Sequence, residues 1–299
     1  MTSAYSQQNS NIQKTWILIT LFVGLVSGLF YGYGYVSGNY GITIIGVIFS
    51  IGQCVVSYFA GEKLALMAAG AKQITYDENP QIFEMVTNIS RIAGIPIPKI
   101  HISPDSSPNA FACGRDPDHA SICLNQGIID LLNKQELEGV IAHELSHVKN
   151  RDILIMTTTM VLSSIISFIA DFGLRSMLWS GGRSRDDEGG NGGNAIVMVL
   201  YIIAMMLAPI LSAVITMSVS REREFLADAT AIVFTRYPKG LADALLKLEG
   251  DPTPSEHYST ATNHFYISEP KRGWGEKAMN LFSTHPKISE RVEALMKMG

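Results

Sequence analysis

The strongest chemical signal in the chain is five residues long. His143-Glu144-Leu145-Ser146-His147 places two histidines four positions apart. On a helix that spacing puts both imidazoles on one face, a turn apart, where they can share a metal ion. Glu144 lies about 100° further round the same helix, beside such an ion rather than on it. A carboxylate in that place can take a proton from a water and pass it on. A catalytic zinc usually has three protein ligands and one open position, so a third ligand must come from elsewhere. Arg221-Glu222-Arg223-Glu224-Phe225-Leu226-Ala227-Asp228 offers acids. Glu224 and Asp228 share a face with Ala227 and Ala231, and small residues beside two acids mark a face pressed on another helix. Glu224 is the expected third ligand. Asp228 is expected to hold an imidazole N–H. Glu222 points to the opposite side, and it and the arginines suit an exposed ion-paired surface.

These residues need elements to carry them, and the composition says which kind. Of the 299 residues, 47% are hydrophobic and 17% charged, with a mean hydropathy of +0.18. That excludes a disordered chain and argues against a fully soluble globule. The apolar residues gather in four stretches, 16–36, 42–60, 153–170 and 195–219, each long enough or nearly so to cross a bilayer as a helix. The blocks between and after them, 61–152 and 220–299, hold 19 of the 23 Lys and Arg and 23 of the 27 Asp and Glu. The first stretch follows a polar segment, residues 1–15, expected to be flexible. It has no small-residue cleavage site, so it reads as an uncleaved anchor. Residues 37–41 close a transmembrane hairpin, and Glu62 and Lys63 mark its exit into water. Gly24, Gly28 and Gly32 line one face of the first span, either to pack on the second span or to pair with a second copy. Residues 180–194, rich in Gly, Ser, Asn and Asp, form a flexible loop. A net charge of −4 and the lack of a basic patch exclude a nucleic-acid partner. Cys54, Cys113 and Cys123 have no metal spacing and read as free thiols in a reducing compartment.

The soluble blocks mix helix and strand. Helices are expected over 80–91, from the N-cap Asn133 through the histidines, and over 221–234, 241–249 and 288–298. Short strands are expected at 99–102, 109–113 and 120–124. His147 precedes Ile153 by six residues and Glu224 follows Val219 by five. If both helices run on from their spans, all three ligands lie in one layer within about 10 Å of the bilayer. The hairpin loop 37–41 carries no positive residue, which places both soluble blocks in the cytoplasm.

Taken together, His143 to His147, the Glu224-x-x-x-Asp228 helix, Asn109-Ala110-Phe111-Ala112-x-Gly114 and Ser283-Thr284-His285-Pro286 resemble the HtpX group of membrane-bound zinc metalloproteases. The resemblance covers nearly the whole chain. It implies a mainly α fold with a small β-sheet: four transmembrane helices and a cytoplasmic zincin-like metalloprotease domain. The domain is built in two parts, 61–152 and 220–299, around spans 153–219, after the hairpin 16–60. It implies one zinc per chain on His143, His147 and Glu224, with Glu144 as general base. His285 and Arg291 match residues near the zinc in the relatives, where either can donate to the oxyanion. Asn109, Ala110, Phe111 and Ala112 match an edge strand that pairs with an extended peptide. The implied substrates are misfolded or damaged membrane proteins, cut under stress at the bacterial inner membrane. His264 is the alternative third ligand, and His101, His119 and His257 have no assigned role. Two other readings stand beside this one. A prenyl-peptide protease has the same chemistry but more spans. A non-catalytic scaffold has no need of Glu144.

Overall fold

The computed structural model describes residues 4–37, 40–162, 203, 221–254 and 286–298. The chain opens with two long apolar helices, α1 (Ala4–Ser37) and α2 (Gly41–Ala68). Helix α1 begins inside the segment expected to be a flexible N-terminus. Its apolar run, Ile12–Gly28, continues a helix that is already formed. Thr43–Ala68 of α2 is, among the described residues, the one helix long and apolar enough to cross a membrane. Its surface is correspondingly greasy, with Ile44, Ile48 and Phe59 exposed.

The two helices meet through Phe22, Val26 and Cys54, and through Ser27 and Ser50, whose hydroxyls are 3.3 Å apart. The Phe30 ring enters a notch at Gly46, where an added Cβ would sit 2.2 Å from Phe30 Cγ. The expected glycine stripe does not make this contact: Gly24 and Gly28 are exposed, with nothing within 4 Å of an added Cβ. The close approach needs a small residue opposite a large one, and that pair is Gly46 and Phe30.

Helix α2 does not stop at Glu62 and Lys63. It runs on to Ala68, because the soluble part stands on it. Glu62 Oε1 accepts from Lys99 Nζ (3.0 Å) and Ser121 Oγ (2.7 Å), and Ser103 Oγ donates to the Ala69 carbonyl (2.6 Å).

The sheet has four strands, β1 (Lys72–Gln73), β2 (Lys99–Ser103), β3 (Ala110–Asp116) and β4 (His119–Asn125), in the order β1-β2-β4-β3. β2 and β4 are parallel, and the other pairs are antiparallel. Strand alternation divides the side chains cleanly. Ala110, Ala112, Ile122 and Leu124 face one core, built with α3 (Pro80–Ala93) and α5 (Lys134–Lys149). Phe111, Cys113 and Cys123 face a second core on α2 and α6 (Asp152–Leu162). The sheet is thus sandwiched between soluble and apolar helices. The three cysteines are free thiols. Burial pushes the Cys113 and Cys123 thiols up, which makes them inert packing groups.

A short helix, α4 (Gln126–Leu131), leads into α5. Helix α5 starts at the expected Asn133, with Glu136 completing a capping box. The second soluble block adds α7 (Arg221–Thr235), α8 (Pro238–Gly250) and α9 (Ile288–Met296). Helix α8 crosses α5 at a pair of glycines: a Cβ on Gly139 would lie 2.8 Å from the Leu241 nitrogen, and one on Gly240 would lie 2.7 Å from the Gln135 carbonyl oxygen. Backbone-to-backbone contact there holds α5 tightly against α8 and leaves its histidine face for α7. Residues 163–170 of span three, span four apart from residue 203, loop 180–194 and the segment 255–285 lie outside the described residues.

Candidate metal centre

Helices α5 and α7 bring the expected ligands together. His143 Nε2 and His147 Nε2 are 3.3 Å apart. Glu224 Oε2 is 3.7 Å from the first, and Glu224 Oε1 is 3.7 Å from the second. All three residues are buried, and their ligand atoms lie within 4.8 Å of one another. Tetrahedral ligands held roughly 2.0–2.1 Å from a zinc ion are about 3.3–3.4 Å from each other. The donor set and its spacing therefore fit a single zinc. Among the described residues no other His, Cys, Asp or Glu joins this group; His101 lies on β2, and His119 is bound to Asp116 at 2.8 Å.

Each imidazole has its other nitrogen fixed. His143 Nδ1 is 2.9 Å from Asp228 Oδ1, as the sequence led one to expect, and His147 Nδ1 is 3.0 Å from Asp152 Oδ2. A carboxylate can only accept, so both rings carry their proton on Nδ1 and turn the Nε2 lone pair to the shared centre. Asp152 is the residue that sequence reasoning missed. Its sequence signal is one acid standing at the very start of an apolar run. What recruits it is a turn. Helix α5 ends at Lys149, Arg151 adopts φ 60°, and α6 restarts at Asp152. The helix that carries the histidines does not run straight into the third span; it breaks, and the break swings Asp152 back under His147.

Arginines complete the frame. Arg291, fully buried on α9, forks on Asp228 through Nε (2.9 Å) and Nη2 (2.7 Å), and its Nη1 lies 3.2 Å from Glu224 Oε2. Its guanidinium braces the α7 acids, which differs from the expected role as an oxyanion donor. Two acids beside a fully buried cation hold it in place. Arg223 is also buried, not exposed with Glu222 as the helix pattern suggested, and it lies in the field of Asp152 and Glu224. Glu222 is exposed, as expected. His285, the other expected donor, and His264, the alternative ligand, lie outside the described residues, as does His257.

Glu144 is buried next to the two ligand histidines. Burial raises its carboxyl to about 8, against the pull of His147 and a hydrogen bond from the Ala112 N–H. His147 is also raised, to about 9: burial opposes its charge, but the hydrogen bond and charge of Asp152, with Glu224 and Glu144, outweigh it. His143 is lowered, chiefly by burial. Asp228 is lowered, because Arg291 more than offsets the cost of burial.

Asn109 to Ala112 lie at the edge of the sheet beside this centre. The Asn125 N–H donates to the Asn109 carbonyl at 2.9 Å, so 109 and 125 are a hydrogen-bonded pair. By alternation Phe111 and Cys113 also bond inward to β4. Ala110, Ala112 and Gly114 therefore turn their N–H and C=O groups outward, where no further strand lies among the described residues.

A profile of Peptidase family M48 matches residues 77–299. The chain is similar to a "Protease HtpX homolog" of Tropheryma whipplei (strain Twist), 39% identical over 302 aligned positions that cover 99% of this chain and 98% of the relative. It is similarly close to a "Protease HtpX homolog" of Streptococcus gordonii, 38% identical over 300 positions and covering 98% and 99%. Among solved structures, the crystal structure of S. mikatae Ste24p shares the fold, with a TM-score of 0.50 at 18% identity over 97% of this chain and 67% of that one.

The geometry predicts a rank order of metal loss. Glu224→Ala should abolish tight zinc binding. Asp228→Ala and Asp152→Ala should each weaken it about 10–100-fold, and Glu222→Ala should leave it unchanged. Zinc content of the purified variants by atomic absorption, at equal protein, checks the order. Glu222→Ala losing metal while Glu224→Ala keeps it would put the wrong face of α7 on the ion.

A proton count follows from His147. Near neutral pH, below its value of about 9 in the metal-free site, the ring is protonated and a metal must displace that proton. Zinc binding should release at least one proton per ion. Affinity should rise about tenfold per pH unit and level off above the His147 value. Titration calorimetry in buffers of different ionisation enthalpy reads the count. A heat that does not change with buffer contradicts it.

Proposed function

The chain belongs to peptidase family M48, and from that premise we propose that it is a membrane-bound zinc endopeptidase. The observation that carries the reading is the pairing of a three-ligand centre with a buried carboxylate, Glu144, that is not a ligand. Binding a metal needs His143, His147 and Glu224 only. A proton-transfer group set beside them is what hydrolysis needs.

Zinc, when bound, supplies Lewis acidity, which polarises a scissile carbonyl and makes water a stronger acid at neutral pH. The remaining steps belong to the protein. Glu144 takes the proton of the attacking water as its oxygen bonds to the carbonyl carbon. The same carboxyl then delivers that proton to the amide nitrogen, and the C–N bond breaks with a neutral amine leaving. Before a peptide joins the sheet, the Ala112 N–H holds Glu144; a peptide that takes its place on Ala112 frees the carboxylate for the water. Asp228 and Asp152 keep the imidazoles in the ligating tautomer, and Arg291 holds Asp228 and Glu224 in register. The outward groups of Ala110 and Ala112 suit an extended peptide that joins the sheet at β3.

The substrates proposed are misfolded or damaged membrane proteins and other unfolded polypeptides, cut on the cytoplasmic side of the bacterial inner membrane during stress. The support is positional. The centre is one turn of chain from the start of the apolar helix α6, and the sheet stands on the end of α2, so the centre lies beside the ends of two apolar helices. Four spans remain part of this reading, with 153–170 and 195–219 completing the pair formed by α1 and α2. Cysteine labelling of 180–194 from outside the membrane supports that topology. Labelling only from the cytoplasmic side refutes it.

Glu144→Gln in the full chain should retain zinc and lose casein cleavage by about 10²–10⁴-fold. Chelation should abolish cleavage in the unaltered protein, and added zinc should restore it. Cleavage within about tenfold of the unaltered protein, with metal retained, would remove Glu144 from the proton-transfer role.

A further inference from the structure

The outward edge of β3 ends at a fixed obstacle. Gly114 is the last of the three outward residues, just before the register shifts between Gly114 and Asp116. Its N–H donates to Thr157 Oγ1 at 3.0 Å. Thr157 lies on α6 and is only 3% exposed. Its methyl rests against α2 at Gly61, where an added Cβ would come within 2.7 Å of Thr157 Cγ2. A threonine has few χ1 positions. With the methyl seated in the Gly61 notch, the hydroxyl is left facing the strand edge.

The three outward N–H groups are held with unequal firmness. That of Ala110 makes a long bond, 3.3 Å, to the side chain of its own neighbour Asn109. That of Ala112 is taken by Glu144, which the reaction requires to turn to water. Only the Gly114 N–H is held by a group locked between two helices. A peptide joining the edge can displace the first two partners and not the third.

We infer that Thr157 sets the length of substrate recognition: its hydroxyl fills the Gly114 position and stops an added peptide strand at Ala112. This rests on the reading of β3 as the substrate-pairing edge. Main-chain pairing then involves Ala110 and Ala112 alone, and a peptide lengthened past that end gains nothing from the sheet. The apolar helices α2 and α6 close the edge, so the peptide must leave the sheet where they begin.

The test uses the full chain in detergent, loaded with zinc. Quenched fluorescent peptides share one scissile bond and grow residue by residue at either end. kcat/KM is read in active protein and Kd in the Glu144→Gln variant, where peptides stay uncut. In the unaltered protein, growth at one end should stop helping at the Ala112 position. Thr157→Ala should carry the gain one pairing step further, with Kd tightening about three- to tenfold, the worth of one main-chain hydrogen bond. Thr157→Ser, which keeps the hydroxyl, should behave like the unaltered protein. Thr157→Val, which fills its place with a methyl, should gain nothing. Gly61→Ala, which pushes Thr157 away, should mimic Thr157→Ala. Backbone N-methylation of the peptide reads the same boundary without any variant: it should harm binding opposite Ala110 and Ala112 and be silent beyond. Harm beyond that boundary, or a Thr157→Ala length series identical to the unaltered one, overturns the inference. N-methylation silent at every position would instead overturn strand addition itself. Cleavage indifferent to Glu144→Gln and to chelator would overturn the enzymatic reading.

Discussion

The constraint on which the rest of this structure depends is the burial of two imidazole nitrogens 3.3 Å apart, facing each other across a shared centre. Two lone pairs cannot face one another at that distance, away from solvent, without a proton or a cation between them. The surrounding protein is arranged to favour the cation. Carboxylates fix both Nδ1 protons, Glu224 adds a negative charge at 3.7 Å from each ring, and Arg291 pairs with Asp228 and Glu224 so that the acids are not left as uncompensated buried charges. Without the arginine fork, the α7 acids would have to protonate or leave. Without the acids, the rings would lose their orientation.

That requirement explains the architecture. Three parts of the chain must converge: α5 with the histidines and the start of α6 with Asp152 just after it, α7 with Glu224 and Asp228, and α9 with Arg291. The glycine contact between α5 and α8 holds one side of α5 at backbone distance and leaves its histidine face to α7. The sheet covers the centre from the side, and its outer strand sends the Ala112 N–H to Glu144. The apolar helices take part directly. Asp152 opens α6, Thr157 follows one turn and a half later, and Glu62 of α2 grips β2 and β4. The metal centre and the apolar helices are one packed body, which is why α2 stays helical to Ala68 beyond its first charged residues.

Some features were hidden from the linear pattern for identifiable reasons. Asp152 reads as the last charge before a span. Its bond to His147 depends on a left-handed Arg151 that no residue type announces, since a non-glycine residue seldom takes that conformation. Arg223 reads as part of an exposed ion-pair face because it stands beside Glu222 in the sequence; the folded chain instead buries it in the field of Asp152 and Glu224. Arg291 was placed correctly near the centre, but its partner cannot be read from spacing, because Asp228 is 63 positions away. The glycine stripe on α1 does not pack on α2 at Gly24 or Gly28, because equal spacing says that a face is small, not which helix approaches it. The close approach went to Gly46, a single glycine without a repeat.

What the sequence alone determined was local. Two histidines at helical spacing share a face wherever the helix goes. Asn133 and Glu136 start that helix by bonds within four residues of one another, and Glu224 and Asp228 share a face by the same rule as the histidines. Short runs bounded by turn residues assigned strands to 99–102, 109–113 and 120–124, each end within three residues of where it lies. The tertiary structure alone decided which faces meet, which acid serves which imidazole, and which β3 groups turn outward. Those outcomes depend on distances between residues far apart in the chain, and such distances are set by packing a common core, not by any periodicity a single element can carry.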